Sequence, residues 1–158
     1  MELLTPDLFC DKVEDITPAL LESLGIRALL IDIDNTLVSR ASGSFEDSVL
    51  VWIAQMKRAG VSLCLLSNNW HAAVYDYAAE LDLPIVAKAI KPLPLFYIKA
   101  LALIGAQRAT TAMVGDQLFT DILGARLCVL FSILVKPLST TDLWYTQFFR
   151  VLEQRIRR

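Results

Sequence analysis

Residues 27–37, RALLIDIDNTL, decide the fold. From Arg27 to Ile33 the apolar residues run together instead of alternating, the pattern of a strand buried on both faces of a parallel sheet. Asp32 and Asp34 are set into the end of that run. Alternate side chains of a strand share a direction, so both acids start on one side, and the exit into a loop can reorient the second. Carboxylates entering an apolar strand are costly unless a metal, protons or hydrogen bonds satisfy them. The pair therefore caps a turn, holds a structural cation or performs chemistry.

Working outward, the same unit recurs. Upstream, Thr17 is placed to cap a helix over 18–24, with Pro18 at its first position and Gly25 just past its end. Downstream, residues 46–59 carry Val49, Leu50, Ile53 and Met56 at helical spacing, and Gly60 ends that helix. A buried strand at 61–66, a helix at 70–81, a short strand at 84–87 and a helix at 94–104 ending at Gly105 come next. Strands at 110–114 and 127–133, with a short helix around 121–125 between them, complete the series. Alternating buried strands and amphipathic helices predict a doubly wound α/β fold with a mainly parallel sheet flanked by helices. Such sheets bind ligands outside the carboxyl ends of their strands.

The chain of 158 residues fits one domain spanning 1–158, with a core at about 27–132. Hydrophobic residues make up 55% against 20% charged, which opposes disorder and calls for fully buried strands or contact with an apolar partner. The formal charge of -2 gives no basic footprint, so no nucleic-acid partner is expected. Cys10, Cys64 and Cys128 are odd in number and far apart, the last two inside apolar runs assigned to buried strands. They read as buried thiols of a reducing compartment and small core residues, not nucleophiles. The opening MELLTPDLFC lacks the basic start and apolar core of a signal peptide, and no uninterrupted apolar stretch reaches the ~20 residues that span a bilayer. A cytoplasmic protein, soluble or peripheral at the inner face of a membrane, is the expectation.

Chemistry offers a use for both acids. One carboxylate can attack a phosphate monoester while its neighbour protonates the leaving oxygen and later activates water, which assigns Asp32 as nucleophile and Asp34 as proton-transfer group. Magnesium would lessen the repulsion between nucleophile and phosphate. Ser67, at the exit of the 61–66 strand, either caps the next helix or donates to a phosphoryl oxygen alongside the amide of Asn68. Lys91 is either an exposed loop lysine or a positive charge aimed at Asp32 and the phosphate, on a backbone restricted by Pro92. Gly115 and Asp116 close the 110–114 strand, with Asp121 five residues on. Turn chemistry explains each acid alone; together they can coordinate a hard cation, Asp116 directly and Asp121 through water or by orienting the loop. His71, the chain's one histidine, cannot make a zinc site by itself and reads as a helix-start or surface residue or a substrate contact.

These stretches resemble a known family. DIDNTLV (32–38) is similar to motif one of the haloacid dehalogenase (HAD) superfamily, Ser67 in LLSNN to motif two, Lys91 in KP to motif three, and GDQLFTD (115–121) to motif four. The closer resemblance is to capless HAD proteins of subclass IIIA and the YqeG type, related to phosphatidylglycerophosphate phosphatases. The resemblance implies a Rossmann-like domain in which Asp32 forms the phosphoenzyme and Mg2+ is held by Asp32, the backbone carbonyl of Asp34 and Asp116. It also implies that Asp121 supports the metal shell, Ser67 holds phosphate and Lys91 stabilises the phosphorylated nucleophile. The expected activity is magnesium-dependent hydrolysis of a phosphomonoester, with phosphatidylglycerophosphate as the specific candidate. A phosphotransferase using the same phospho-aspartate and a non-catalytic phosphate-binding scaffold are the alternatives. No second domain fits between Ser67 and Lys91, so an open site is expected, and a dimer could supply a missing wall.

The C-terminal stretch DLWYTQFFRVLEQRIRR reads as an amphipathic helix over about 142–157, with Leu143, Phe148, Val151, Leu152 and Ile156 on a stripe and Arg150, Arg155, Arg157 and Arg158 as its cations. It packs on the domain or a second subunit, or attaches to anionic lipid.

Overall fold

A computed structural model describes residues 3–139, 150, 151 and 154. Six strands, β1 (Leu8–Cys10), β2 (Ala28–Ile31), β3 (Ser62–Leu66), β4 (Ile85–Val86), β5 (Thr111–Gly115) and β6 (Phe131–Val135), form one sheet in the order β1-β6-β5-β2-β3-β4. Every neighbouring pair is parallel. Between residues 18 and 127 they are accompanied by the α-helices α1 (Pro18–Leu24), α2 (Asp47–Arg58), α3 (Ala73–Leu81), α4 (Pro94–Ile104) and α5 (Leu123–Leu127).

The continuous apolar runs follow from helices on both faces. Leu29 and Ile31 of β2 point into a core built with Leu21 of α1, Trp52, Ile53 and Met56 of α2, and Val74, Ala78 and Leu81 of α3. Leu30, between them, points to the other face with Tyr97, Ala100 and Leu101 of α4 and Ala125 of α5. Trp52 is fully buried, and its indole N–H donates 2.8 Å to the Ile16 carbonyl, so its polar atom is satisfied where water is excluded.

The strand order creates the crevice. The chain proceeds β2, β3, β4 toward one edge, then crosses back to place β5 on the other side of β2. Connections leave in opposite directions at the carboxyl ends of β2 and β5, the switch point where open parallel sheets accept ligands.

Helices α1 and α4 lie where local signals place them. The Thr17 hydroxyl accepts from the Leu20 N–H at 3.1 Å, and Gly25 and Gly105 take left-handed conformations at the C-caps. Helix α3 starts at Ala73, not Trp70, because residues 67–72 form the loop stitched to the site. Strand β1 was not expected: it has three residues, held by pairing with β6 and by Asp7, whose carboxylate accepts from the Ser132 backbone N–H at 2.8 Å.

The expected strand at 127–133 is displaced. Leu127 ends α5, Cys128 is that helix's C-cap, Val129 sits at φ 57° in a turn, and β6 begins at Phe131. Cys128 is therefore buried beneath a helix end and not within a strand. The short helix expected at 121–125 divides into a wide turn over Leu118–Ile122 and α5. Of the expected C-terminal helix, Arg150, Val151 and Gln154 are helical and exposed, and the remainder lies outside the described residues.

Candidate active site

Asp32 directly follows β2, and its backbone N–H donates 3.0 Å to Val114 of β5, extending the ladder one step beyond the strand. Its carboxylate is fixed at both oxygens. Lys91 Nζ donates 2.8 Å to Oδ1, and Thr36 Oγ1 lies 3.2 Å from Oδ2. The same ammonium donates 2.8 Å to Asp121 Oδ1 and 3.0 Å to the Leu66 carbonyl at the end of β3, so its three protons are all used. Lys91 is 5% exposed. Burial pushes its pKa down, but Asp121 and Asp32 outweigh that and hold it above the ordinary lysine value, so it stays charged. The exposed-loop alternative is excluded.

Asp116 follows Gly115 at the end of β5, and Thr36 Oγ1 also lies 3.2 Å from its Oδ1. One hydroxyl has a single proton, so Thr36 serves the two acids unequally unless one of them carries its own. Burial, and then the charges of Asp32 and Asp121, raise the Asp116 pKa to about 9. Burial raises Asp121 to about 6, with Lys91 pulling it down and Asp32 pushing it up. Asp32, Asp116 and Asp121 each offer an oxygen within 4.8 Å of the others. Buried anions this close are relieved by protons or a cation, and an all-carboxylate donor set suits a hard divalent ion. Gly115 is needed here for space: a Cβ on it would overlap the Asp121 carboxylate.

Ser67 is fully buried at the end of β3, and its Oγ accepts from the Asn69 N–H at 3.0 Å, leaving its own proton to offer. Asp34 is half-buried in the loop after Asp32, and its carboxylate stands apart from the three-acid group, accepting 3.2 Å from Asn69 Nδ2. The fold thus clusters Asp32, Asp116, Asp121 and Lys91 tightly, with Ser67 on the adjoining strand end and Asp34 held from the β3 loop. His71 is exposed, its backbone N–H donating 2.8 Å to Asn69 Oδ1. All three cysteines are buried and free, and burial raises Cys10 and Cys64 to about 11.

Three supporting residues complete the site: in the sequence Asn35 and Thr36 only fit a phosphatase-like loop, and Asn69 carries no signal. Thr36 bridges two acids, Asn69 positions Asp34, and Asn35 binds the segment after β6. Asn35 Oδ1 accepts 2.7 Å from Ser139 Oγ, its Nδ2 donates 3.2 Å to the Ser139 carbonyl, and its own carbonyl accepts 2.9 Å from the Leu138 N–H. Asn35 sits at φ 60°, a conformation asparagine tolerates better than most residues.

Fold and site define the class: a Rossmann-like α/β enzyme domain with a carboxylate-rich centre at its switch point. The "HAD-hyrolase-like" family model matches residues 89–143, a stretch containing Lys91, Asp116 and Asp121. "Probable phosphatase YqeG" of Bacillus subtilis (strain 168) is 31% identical over 151 residues, covering 96% of this chain and 88% of the relative. Two solved structures share the fold at 13% identity and a TM-score of 0.58. One, an uncharacterized protein from Listeria monocytogenes serotype 4b, matches over 82% of this chain and 99% of its own. The other is the cobalt-bound form of the deoxy-D-mannose-octulosonate 8-phosphate phosphatase (YrbI) from Haemophilus influenzae, with 83% and 89% covered. The chain belongs to the HAD superfamily of hydrolases, among the YqeG-like phosphatases.

Proposed function

We propose that this protein is a magnesium-dependent phosphomonoester hydrolase working through a phospho-Asp32 intermediate. One observation carries the reading: a buried, fully bonded ammonium holds Asp32 in place inside a group of acids that is anionic when ionised. Lys91 fixes the orientation of the Asp32 carboxylate, which favours in-line attack on phosphorus. As the Asp32–phosphorus bond forms and the ester bond breaks, Asp34 passes its proton to the leaving oxygen. Asp34 then takes a proton from water as water attacks phosphorus, the Asp32–phosphorus bond breaks and inorganic phosphate leaves. Ser67 holds a phosphoryl oxygen through its free proton.

The residues present fit Mg2+. Asp32, Asp116 and the backbone carbonyl of Asp34 would hold it, Asp121 would support them, and the ion would offset the repulsion between the acids and an incoming phosphate dianion. The cobalt-bound form of the H. influenzae fold relative supports a cation in this fold.

Only α3 and β4 intervene between Ser67 and Lys91, so no large domain covers the site from that interval. We propose an exposed phosphate on a larger carrier as substrate, the head group of phosphatidylglycerophosphate being the specific candidate from the resemblance, and a cytoplasmic location. The test is turnover of a panel of phosphate esters with and without Mg2+, run beside Asp32→Asn. Wild-type release of phosphate only with the cation, abolished in a folded Asp32→Asn, is expected; unchanged turnover in that variant rejects Asp32 as nucleophile.

A further inference from the structure

Three loops at the carboxyl ends of strands around β2 each raise a large apolar side chain into solvent beside the site. Trp70 follows β3, Ile90 follows β4 and Phe119 follows β5, at 66%, 54% and 66% exposure. Leu93, also exposed, closes the turn begun by Ile90, its N–H donating 2.9 Å to the Ile90 carbonyl. These positions are tied to the centre. Trp70 adjoins Asn69, which holds Asp34; Ile90 directly precedes Lys91; Phe119 stands two residues before Asp121. The loops after β3 and β4 are bonded to each other, Lys88 N–H to the Asn69 carbonyl at 3.3 Å and Lys91 N–H to Asn68 Oδ1 at 2.9 Å, and the loop after β5 is joined to them by the Lys91–Asp121 ion pair at 2.8 Å. The apolar side chains therefore stand on one connected rim around the mouth.

Large side chains gathered in water at one end of a domain lose hydrophobic free energy that a partner recovers. Charge narrows the partner. Lys88 Nζ lies 5.6 Å from the Trp70 ring centroid, a cation seated on the face of an exposed aromatic of the rim. An aromatic body carrying an ammonium suits the boundary between acyl chains and anionic head groups. The open mouth lets a lipid surface present its own phosphate to Asp32.

We propose that this rim docks the protein on an anionic lipid bilayer, with Trp70, Ile90 and Phe119 inserted at the head-group boundary and Lys88 at phosphate level. The docking deepens the phosphatase reading and gives it a purpose, but is measurable without turnover. The experiment is flotation of the full chain with vesicles of phosphatidylcholine alone or mixed with phosphatidylglycerol. It compares wild type, Asp32→Asn, Lys88→Gln and the triple variant Trp70→Ser, Ile90→Ser, Phe119→Ser, each checked for folding by thermal melting. Wild type and Asp32→Asn float with the mixed vesicles, weakly with the neutral ones. The triple variant partitions at least about tenfold less, because three apolar side chains no longer enter the layer. Lys88→Gln flattens the salt dependence, and hydrolysis of soluble p-nitrophenyl phosphate is unchanged in the triple variant. Flotation of the triple variant equal to wild type overturns the proposal, as does failure of wild type to float with either vesicle. A wild-type dimer that the triple variant converts to a monomer, with flotation unaltered, makes the rim an interface between copies and overturns it too. Flotation without hydrolysis of any ester leaves docking standing and sinks the phosphatase reading alone.

Discussion

Replacing Lys91 by methionine removes the cation of the centre while keeping most of its volume, and the cost should depend on pH in a defined direction. The wild-type ammonium makes bonds of 2.8, 2.8 and 3.0 Å to Asp32, Asp121 and the Leu66 carbonyl. Removing one partner of a buried ion pair costs about 3–5 kcal/mol when the other charge stays ionised. Protons can replace the ammonium. In the folded protein Asp116 titrates at about 9 and Asp121 at about 6, above the ~3.9 of an unfolded aspartate. Stability from acids raised in this way is complete below the unfolded value and is lost as pH climbs through the folded ones. Lys91 is what pulls Asp121 down, so without it Asp121 stays protonated to higher pH, and the variant's loss extends further into the alkaline range. In urea unfolding with EDTA, Lys91→Met should cost less near pH 5, where Asp121 is protonated, than near pH 8, where its ionisation takes the loss to about 3–5 kcal/mol. A penalty that is flat across this range, or larger in acid, refutes the assigned charge balance.

Gly115→Ala places a Cβ inside the Asp121 carboxylate, and the overlap should cost about 1–3 kcal/mol in urea unfolding and displace Asp121 from Lys91; wild-type stability with wild-type Mg2+ affinity would contradict the packing. In calorimetric titration with Mg2+ near pH 7, the cation should expel the proton that Asp116 retains up to about 9, releasing about one proton as read from buffers of different ionisation heat. Heats independent of buffer would show Asp116 already ionised. Trp52→Phe leaves the Ile16 carbonyl without its 2.8 Å donor and should lower stability by about 1–3 kcal/mol with Mg2+ affinity intact, checked by denaturation and the same titration.

What the sequence revealed was what local chemistry determines. Thr17, Pro18 and Gly25 bracket α1, and Pro94 and Gly105 bracket α4, because caps act within one turn. The candidate site residues were legible for another reason: a polar residue ending a buried apolar run stands out, and Asp32, Ser67 and Asp116 all do. Strand β1 was not legible, since its three residues owe their conformation to β6, more than a hundred residues away. Nor could the run LCVLFSILV from 127 to 135 be divided by pattern, because a helix end, a turn at Val129 and a strand are all apolar here. Lys91 alone showed only a residue beside a proline. Its burial follows from a reach across β2 and β3 that no single segment contains.

The same geometry links stability to ligand binding. Lys91 has no spare proton to lend, and Thr36 has one hydroxyl proton between two acids, so one ammonium stands among three buried acids. Where the balance is made up by a proton on Asp116, that acid is neutral and a weaker ligand; where a cation made it up, the proton would leave and Asp116 would join Asp32 in holding the ion, with Asp121 in support. A bound divalent ion must therefore stabilise the folded chain more as pH rises from about 6 toward 9, because metal-free folding loses carboxylate protonation over that window while the loaded site has none to lose. Buried acids that weaken the metal-free domain would, on the proposed function, be the source of its affinity for a divalent ion.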